Sequence, residues 1–172
     1  KGNVSVDDAA IGGNTILKLN GTSAQTITAN TTIGILPQLV IDKKGNIWIG
    51  TMNGGLAKFD GTNWTTYDPE NSGLPDDWVT AISIDPSGMM WIGTDQGGLA
   101  KFDGDNWTVY NTLNSGMPTD IVTSIIIDSN GSKWIGTYNG GLAVFNENGV
   151  PSSTMENRAA ENNLKVFPNP AT

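Results

Sequence analysis

The chain has 172 residues, enough for one domain of ordinary size. Its formal charge of −8 would repel a phosphate backbone, which argues against nucleic-acid binding, and no apolar run approaches the roughly 18 residues of a membrane span. Cysteine and histidine are both absent, so disulfides, thiolate nucleophiles, Ser-His triads and Cys/His zinc sites cannot be built from it.

Taken in order, residues 1–36 are rich in Thr, Asn and Ile. Asn14–Thr22 and Ala24–Thr28 read as two short strands about a Gly-Thr turn, an edge hairpin that caps or completes the element after it. The segment also resembles Leu-Asn-Gly-Thr stretches in repetitive β-rich surface proteins of the Bacteroidetes group. The chain opens at Lys1 without a methionine, which suggests processing or a fragment.

From residue 37 onward the chain repeats itself. Trp48-Ile49-Gly50-Thr51 returns as Trp91-Ile92-Gly93-Thr94 and as Trp134-Ile135-Gly136-Thr137, each 43 residues after the last. A fixed period of this size marks stacked supersecondary units. Each unit reads as strands joined by tight turns. Leu39–Asp42, Trp78–Asp85 and Ile121–Asp128 are apolar, β-branched runs, the last two suited to a strand buried on both faces. The tryptophan segment alternates as a half-buried strand does. Asn53-Gly54 and Asn139-Gly140, with Gln96-Gly97 in the same slot, suit a two-residue hairpin in which both central positions need φ > 0. Leu56–Phe59 follows as a third strand. A second turn at Asp60-Gly61 leads to Trp64–Tyr67, copied at Asp103-Gly104 and Trp107–Tyr110.

Four antiparallel strands per unit make a β-propeller blade. The reading is therefore all-β: three four-stranded repeats spanning 37–78, 79–121 and 122–150, after a capping segment at 1–36 and before a tail at 151–172. Both inter-blade linkers carry Asn-Ser-Gly-x-Pro (Asn71–Pro75, Asn114–Pro118). Residues 45–68 and 88–111 share 17 identities in 24 positions, which argues for duplication of one blade.

With those residues in view, the units resemble the two-component regulator propeller repeat, Asp-x-x-Gly-x-x-Trp-Ile-Gly-Thr-x-x-Gly-Gly-Leu-x-x-Phe, starting here at Asp42, Asp85 and Asp128. The resemblance implies a periplasmic sensor region of a hybrid histidine kinase, or a secreted or cell-surface protein lacking any kinase. After Asn146 the pattern fails. Blade three is expected to lack its outer strand, and 156–164 to form a weak helical turn or none. Leu164–Thr172, with Pro168-Asn169-Pro170, resembles the opening of a type IX secretion C-terminal sorting domain, so the chain is expected to continue past Thr172. Closed propellers use about four to eight blades. Three leave open faces, to be met by further blades, by association of copies into a six-bladed ring, or not at all.

Trp48, Trp91 and Trp134, with Phe59, Phe102 and Phe145, are expected to fill the wedges between blades. Trp64 and Trp107 are expected to cover the outermost strand. Trp78 breaks the repeat, since its copy is Ile121, and it follows Asp76-Asp77. An aromatic ring beside carboxylates on an inter-blade loop is a candidate contact for a glycan, peptide or protein ligand, with Asp120 at the next junction. Asp42, Asp85 and Asp128 are expected to cap their own turns. Weak Ca²⁺ binding at Asp128–Gly131 or along the rim of Asp68, Glu70, Asp76, Asp77 and Asp120 is the secondary reading, and no other cofactor is expected. The functional expectation is a non-catalytic binding or sensing module outside the cytoplasm. A streptogramin-lyase-like fragment, a structural adhesin or spacer, and a kinase sensor region are the alternatives.

Overall fold

The computed structural model describes residues 38–147 in full and, outside them, the backbone of Val4–Val6, Ile27–Ala29 and Leu164–Phe167. The chain divides into Lys1–Leu36 and Pro37–Thr172. In the first unit β1 (Val4–Val6) pairs in parallel with β2 (Ile27–Ala29). β2 overlaps the second expected strand, but its partner is β1; the other half of the expected hairpin, 14–22, lies outside the described residues.

The second unit holds three four-stranded antiparallel sheets, and each sheet follows the chain without a crossover. Blade one is β3 (Gln38–Ile41), β4 (Ile47–Gly50), β5 (Leu56–Phe59) and β6 (Trp64–Tyr67). Blade two is β7 (Val79–Ile84), β8 (Met90–Thr94), β9 (Leu99–Phe102) and β10 (Trp107–Tyr110). Blade three is β11 (Val122–Ile127), β12 (Lys133–Thr137), β13 (Gly141–Phe145) and β14 (Leu164–Phe167). Among the described residues every regular element is a strand, and the three sheets do not close into a ring.

The fourth strand of blade three differs from expectation. β14 comes from the stretch assigned above to a tail, and it pairs antiparallel with β13 from Leu142↔Phe167 to Phe145↔Leu164. Backbone chemistry supplies the reason. Without a partner, the outer edge of β13 would present a row of unsatisfied N–H and C=O groups, and Leu164-Lys165-Val166-Phe167 carries the alternation that a strand needs.

The hairpin between second and third strands is also longer than two residues. Thr51 N–H donates to Gly55 O, and Thr51 Oγ1 accepts from Gly54 N–H while donating to Gly55 O; Thr94 and Gly98 repeat this. The second glycine takes the positive φ (67° at Gly55, 85° at Gly98, 80° at Gly141), whereas of the three residues before the glycine pair only Asn139 does. A side chain on Gly55 would also strike Tyr67 O. The threonine hydroxyl thus closes a five-residue loop that the Asn-Gly pair alone would have made tighter.

Adjacent blades stack face to face. Between blades one and two, Trp48 and Leu56 meet Ile82, Ile92 and Phe102 in a buried cluster; between blades two and three, Trp91 and Leu99 meet Ile135 and Ala143. Each indole lies against the aromatic ring of the following blade: Trp48 on Phe102 at 6.1 Å and Trp91 on Phe145 at 5.5 Å between centroids. Gly50 and Gly93 let the next blade come this close, since a Cβ there would collide with Val79 Cγ1 and Val122 Cγ1. The linkers are copied in structure as in sequence: Ser72 Oγ donates to Asp68 O and Ser115 Oγ to Asn111 O, while Leu74 and Met117 are buried under them.

The expected core is not uniform. Trp48 and Trp91 are buried, but Trp134 is half-buried on the far face of blade three. Phe102 is buried; Phe59 and Phe145 are half-buried. Trp107 stacks on Phe102 and contacts Tyr67, so it joins the blade interface, whereas Trp64 lies on Phe59 and remains exposed. β11 is covered on one face only, with Ile126 67% exposed, against the expectation of burial on both. The reason is positional: the outward faces of blades one and three have no neighbouring sheet among the described residues.

Candidate functional site

The carboxylates that open each repeat explain the hallmark tryptophan. Asp42 Oδ1 accepts the N–H groups of Lys44 and Asn46, and its Oδ2 accepts Trp48 Nε1–H at 3.0 Å. Asp85 accepts from Ser87 N–H, Met89 N–H and, at 3.4 Å, Trp91 Nε1–H. Asp128 accepts from Asn130 N–H, Ser132 N–H and Trp134 Nε1–H at 2.9 Å. One side chain therefore caps the turn and takes the indole donor six residues on, so that a ring which would otherwise bury an unpaired N–H is satisfied. With its oxygens turned onto its own loop, Asp128 has the geometry of a cap. Among the described residues no group of three or more acidic side chains is arranged to hold a metal ion.

All three carboxyls are held below the ordinary carboxylate range. At Asp42 and Asp85 burial works against ionisation, but the hydrogen bonds from the turn and the indole outweigh it. At Asp128 the bond from Trp134 leads, followed by the Ser132 amide. A folded-state pKa below the unfolded one contributes stability that is present above the unfolded value, about 3.9, and is lost as pH falls through the folded value. The thermal midpoint, followed by tryptophan fluorescence, is therefore expected to fall as pH drops below about 4. A midpoint constant through that window would contradict these caps.

Trp78 and its neighbours sit where the first linker meets blade two. Asp77 O accepts from Gly55 N–H of blade one, and Trp78 O accepts from Asp95 N–H of blade two. The backbone on either side of the indole is thus stapled to both blades, between the loops 51–55 and 94–98. The side chain of Trp78 is half-buried, and no hydrogen-bond acceptor for its indole N–H is found among the described residues. Asp76 is committed to structure: its Oδ2 accepts Gln96 N–H at 2.7 Å, and its Oδ1 accepts Trp78 N–H at 3.3 Å. Asp77 is exposed. Asp120 lies at the next junction, where it accepts from Thr112 N–H and Thr112 Oγ1–H while its carbonyl takes Gly98 N–H. The structure therefore places Trp78, Asp76 and Asp77 on the first linker and Asp120 on the second, with both linkers bonded to the loop 95–98. The rim residues Asp68 and Glu70 belong to the linker turn, with Asp68 capping Glu70 and Asn71 N–H.

Two features were not anticipated. The residue after the motif threonine is Met52, Asp95 or Tyr138, on the loop end of successive blades, and Met52 and Tyr138 are well exposed. Variation at one exposed position among near-identical copies was the available signal. The other is Lys133, which occupies the slot of Met90 yet is buried, with Nζ 4.0 Å from Asp85 Oδ2, 3.8 Å from Glu147 Oε2 and 4.5 Å from the Trp91 ring centroid.

The family model described as two component regulator propeller matches residues 32–53 and 73–96. Among solved structures, the extracellular domain assigned to the hybrid two-component system BT3049 of B. thetaiotaomicron is 28% identical, covering 76% of this chain and 17% of that one, with a TM-score of 0.59. The sheets are propeller blades. The extracellular domain of the one-component system BT4673 from the same organism is 20% identical over 78% of this chain and 19% of that one, with a TM-score of 0.55. A streptogramin B lyase is 18% identical over 77% and 40%, with a TM-score of 0.54. The last two are likenesses of fold alone. The propeller chain spans less than a fifth of either extracellular domain. Comparison with curated proteins gives no match. Among the described residues no helix is long and apolar enough to cross a membrane.

Proposed function

We propose that these blades form a non-catalytic recognition module of a bacterial protein displayed outside the cytoplasm, with a glycan, peptide or protein ligand held at the loop end around Trp78. The observation that carries it is the Trp78 junction. A half-buried indole, with no acceptor for its N–H among the described residues, is set in backbone fixed to two blades, beside the exposed carboxylate of Asp77. Such a ring can stack on an apolar sugar or side-chain face, and its N–H and the neighbouring carboxylate can meet hydroxyl or amide groups. Likeness to the extracellular domains of two-component systems supports the location and the sensing role. The sorting-domain resemblance of Leu164–Thr172 favours secretion to the cell surface, although Leu164–Phe167 also serves blade three as a strand. The lyase alternative has no histidine in this chain to act as a base.

Trp78→Ala is expected to weaken binding on a glycan or peptide array by about 2 kcal/mol, as an aromatic anchor does, while leaving the thermal midpoint nearly unchanged. Unaltered binding by a folded Trp78→Ala protein would remove the assignment.

A further inference from the structure

The blades run between two ends of unlike charge. Their strands meet one end at the loops 51–55, 94–98 and 137–141 and at both linkers. The other end is formed by the turns that open at Asp42, Asp60, Asp85, Asp103 and Asp128. Among the described residues the loop end holds Asp68, Glu70, Asp76, Asp77, Asp95 and Asp120, and no lysine or arginine. Lys43, Lys44, Lys58, Lys101 and Lys133 all belong to the strands or the opposite end, where they offset most of the seven carboxylates there. Residues 1–37 and 148–172 are each neutral, with two acidic and two basic residues apiece. Six of the eight excess negative charges therefore sit at the loop end. None of those six carboxylates has a cationic partner among the described residues, since the ion pairs involve only Lys101, Lys133, Asp85 and Glu147. Asp68, Asp76 and Asp120 are held in place by N–H donors, whereas the side chains of Asp77 and Asp95 accept no hydrogen bond there. Those two adjoin Trp78: Asp77 precedes it in the chain, and Asp95 N–H donates to its carbonyl.

We propose that the loop end docks a cationic polypeptide, a segment carrying Lys or Arg among apolar side chains. This rests on the reading of Trp78 as a ligand contact and narrows that ligand to one class. Potentials of opposite sign steer partners together and suppress wrong ones, so a single-sign face selects a positive ligand and repels an acidic glycan. An indole face also attracts a guanidinium or ammonium directly. Apolar anchors stand on the same end: Met52 is 43% exposed, Tyr138 58% and Leu113 93%, the last in the slot that Glu70 fills in the first linker. Exposed Met and Tyr among charges match the composition of protein interfaces. Nothing in the 172 residues supplies the missing positive charge, because the segments outside 38–147 are neutral. Further blades would not cover the site either, since blades stack through their sheet faces and a new one would lie beside the stack.

The test is fluorescence anisotropy of the 172-residue chain with three kinds of probe: short peptides mixing Lys, Arg and Leu, the same peptides with Glu for each basic residue, and neutral and sulfated glycans. The basic peptides are expected to bind, more weakly as salt is raised, and the acidic peptides and sulfated glycans are not. Combining Asp77→Asn with Asp95→Asn is expected to weaken binding about three- to tenfold while the melting profile stays native. Asp105→Lys makes the same change in net charge at an exposed position on the opposite end, and is expected to leave binding unaltered. Basic peptides that fail to bind would overturn the proposal. So would equal binding of acidic and basic peptides, or an Asp105→Lys loss as large as that of the double variant. A neutral glycan held through Trp78 but indifferent to Asp77 and Asp95 would overturn it while sparing the reading of Trp78. Charge-dependent peptide binding that Trp78→Ala leaves intact would instead remove Trp78 from the site.

Discussion

Replacing Trp91 with alanine is expected to destabilise the blade stack by about 3–5 kcal/mol in urea or guanidinium unfolding, the largest effect of any single tryptophan. Trp91 is fully buried, and it does three things at once. It stacks on Tyr110 of its own blade at 6.1 Å, meets Phe145 of the next at 5.5 Å, and covers the Lys133 ammonium at 4.5 Å. Removal would open a cavity in the middle of the second interface and leave Lys133 to the more distant Phe145 ring, 5.9 Å from its ammonium. Trp64, exposed and resting only on Phe59 among the described aromatic rings, provides the control. Trp64→Ala is expected to stay within about 1 kcal/mol of the native chain. Equal losses for the two would mean that the indoles do not hold the blades together.

The buried charges at the same interface give the second large effect. Lys133 and Asp85 are both buried, and Glu147 completes the group by pairing with Lys101 as well. Taking one partner from a buried pair strands the other's charge, which typically costs about 3–5 kcal/mol, whereas replacing both partners by apolar side chains of similar volume is often neutral or stabilising. Asp85→Ala is therefore expected to be severely destabilising. Lys133→Met, which copies the Met90 slot of blade two, is expected to cost less than Asp85→Ala, because Asp85 keeps the hydrogen bonds from Ser87, Met89 and Trp91. Combining them is expected to recover at least about 1 kcal/mol of the Asp85→Ala loss, because no buried ammonium then remains. The remainder belongs to the turn and to Trp91 Nε1–H, which Asp85 also serves. Strict additivity of the two substitutions would show that the pair is not coupled.

Much of the fold was legible because it is written three times. The interval between Trp48, Trp91 and Trp134 set the blade length, and the alternation in Trp48–Thr51 and Leu56–Phe59 set the faces. What escaped depended on contacts that a single copy does not reveal. The loop after Thr51 is governed by a hydroxyl bridging Gly54 N–H and Gly55 O, not by the Asn-Gly pair. The outer strand of blade three is supplied by Leu164–Phe167, across a gap that breaks the period. Lys133 gives no signal in the sequence because its slot holds Met90 in the neighbouring copy, and only the structure shows Asp85 opposite it. At the Trp78 junction the departure from Ile121 was visible in the sequence. That Asp76 is spent on Gln96 N–H and that Asp120 serves a separate junction were not, since both depend on how the linkers fold back.

The central claim, that each sheet is covered by the following one through its motif indole, is tested most directly by nuclear Overhauser contacts in the isotopically labelled chain. Cross-peaks are expected between the Trp48 indole and the Phe102 ring and between the Trp91 indole and the Phe145 ring, pairs that only inter-blade stacking brings together. Well-resolved spectra in which neither indole shows a contact to the next blade, with both N–H groups exchanging as freely as in an unfolded chain, would contradict it.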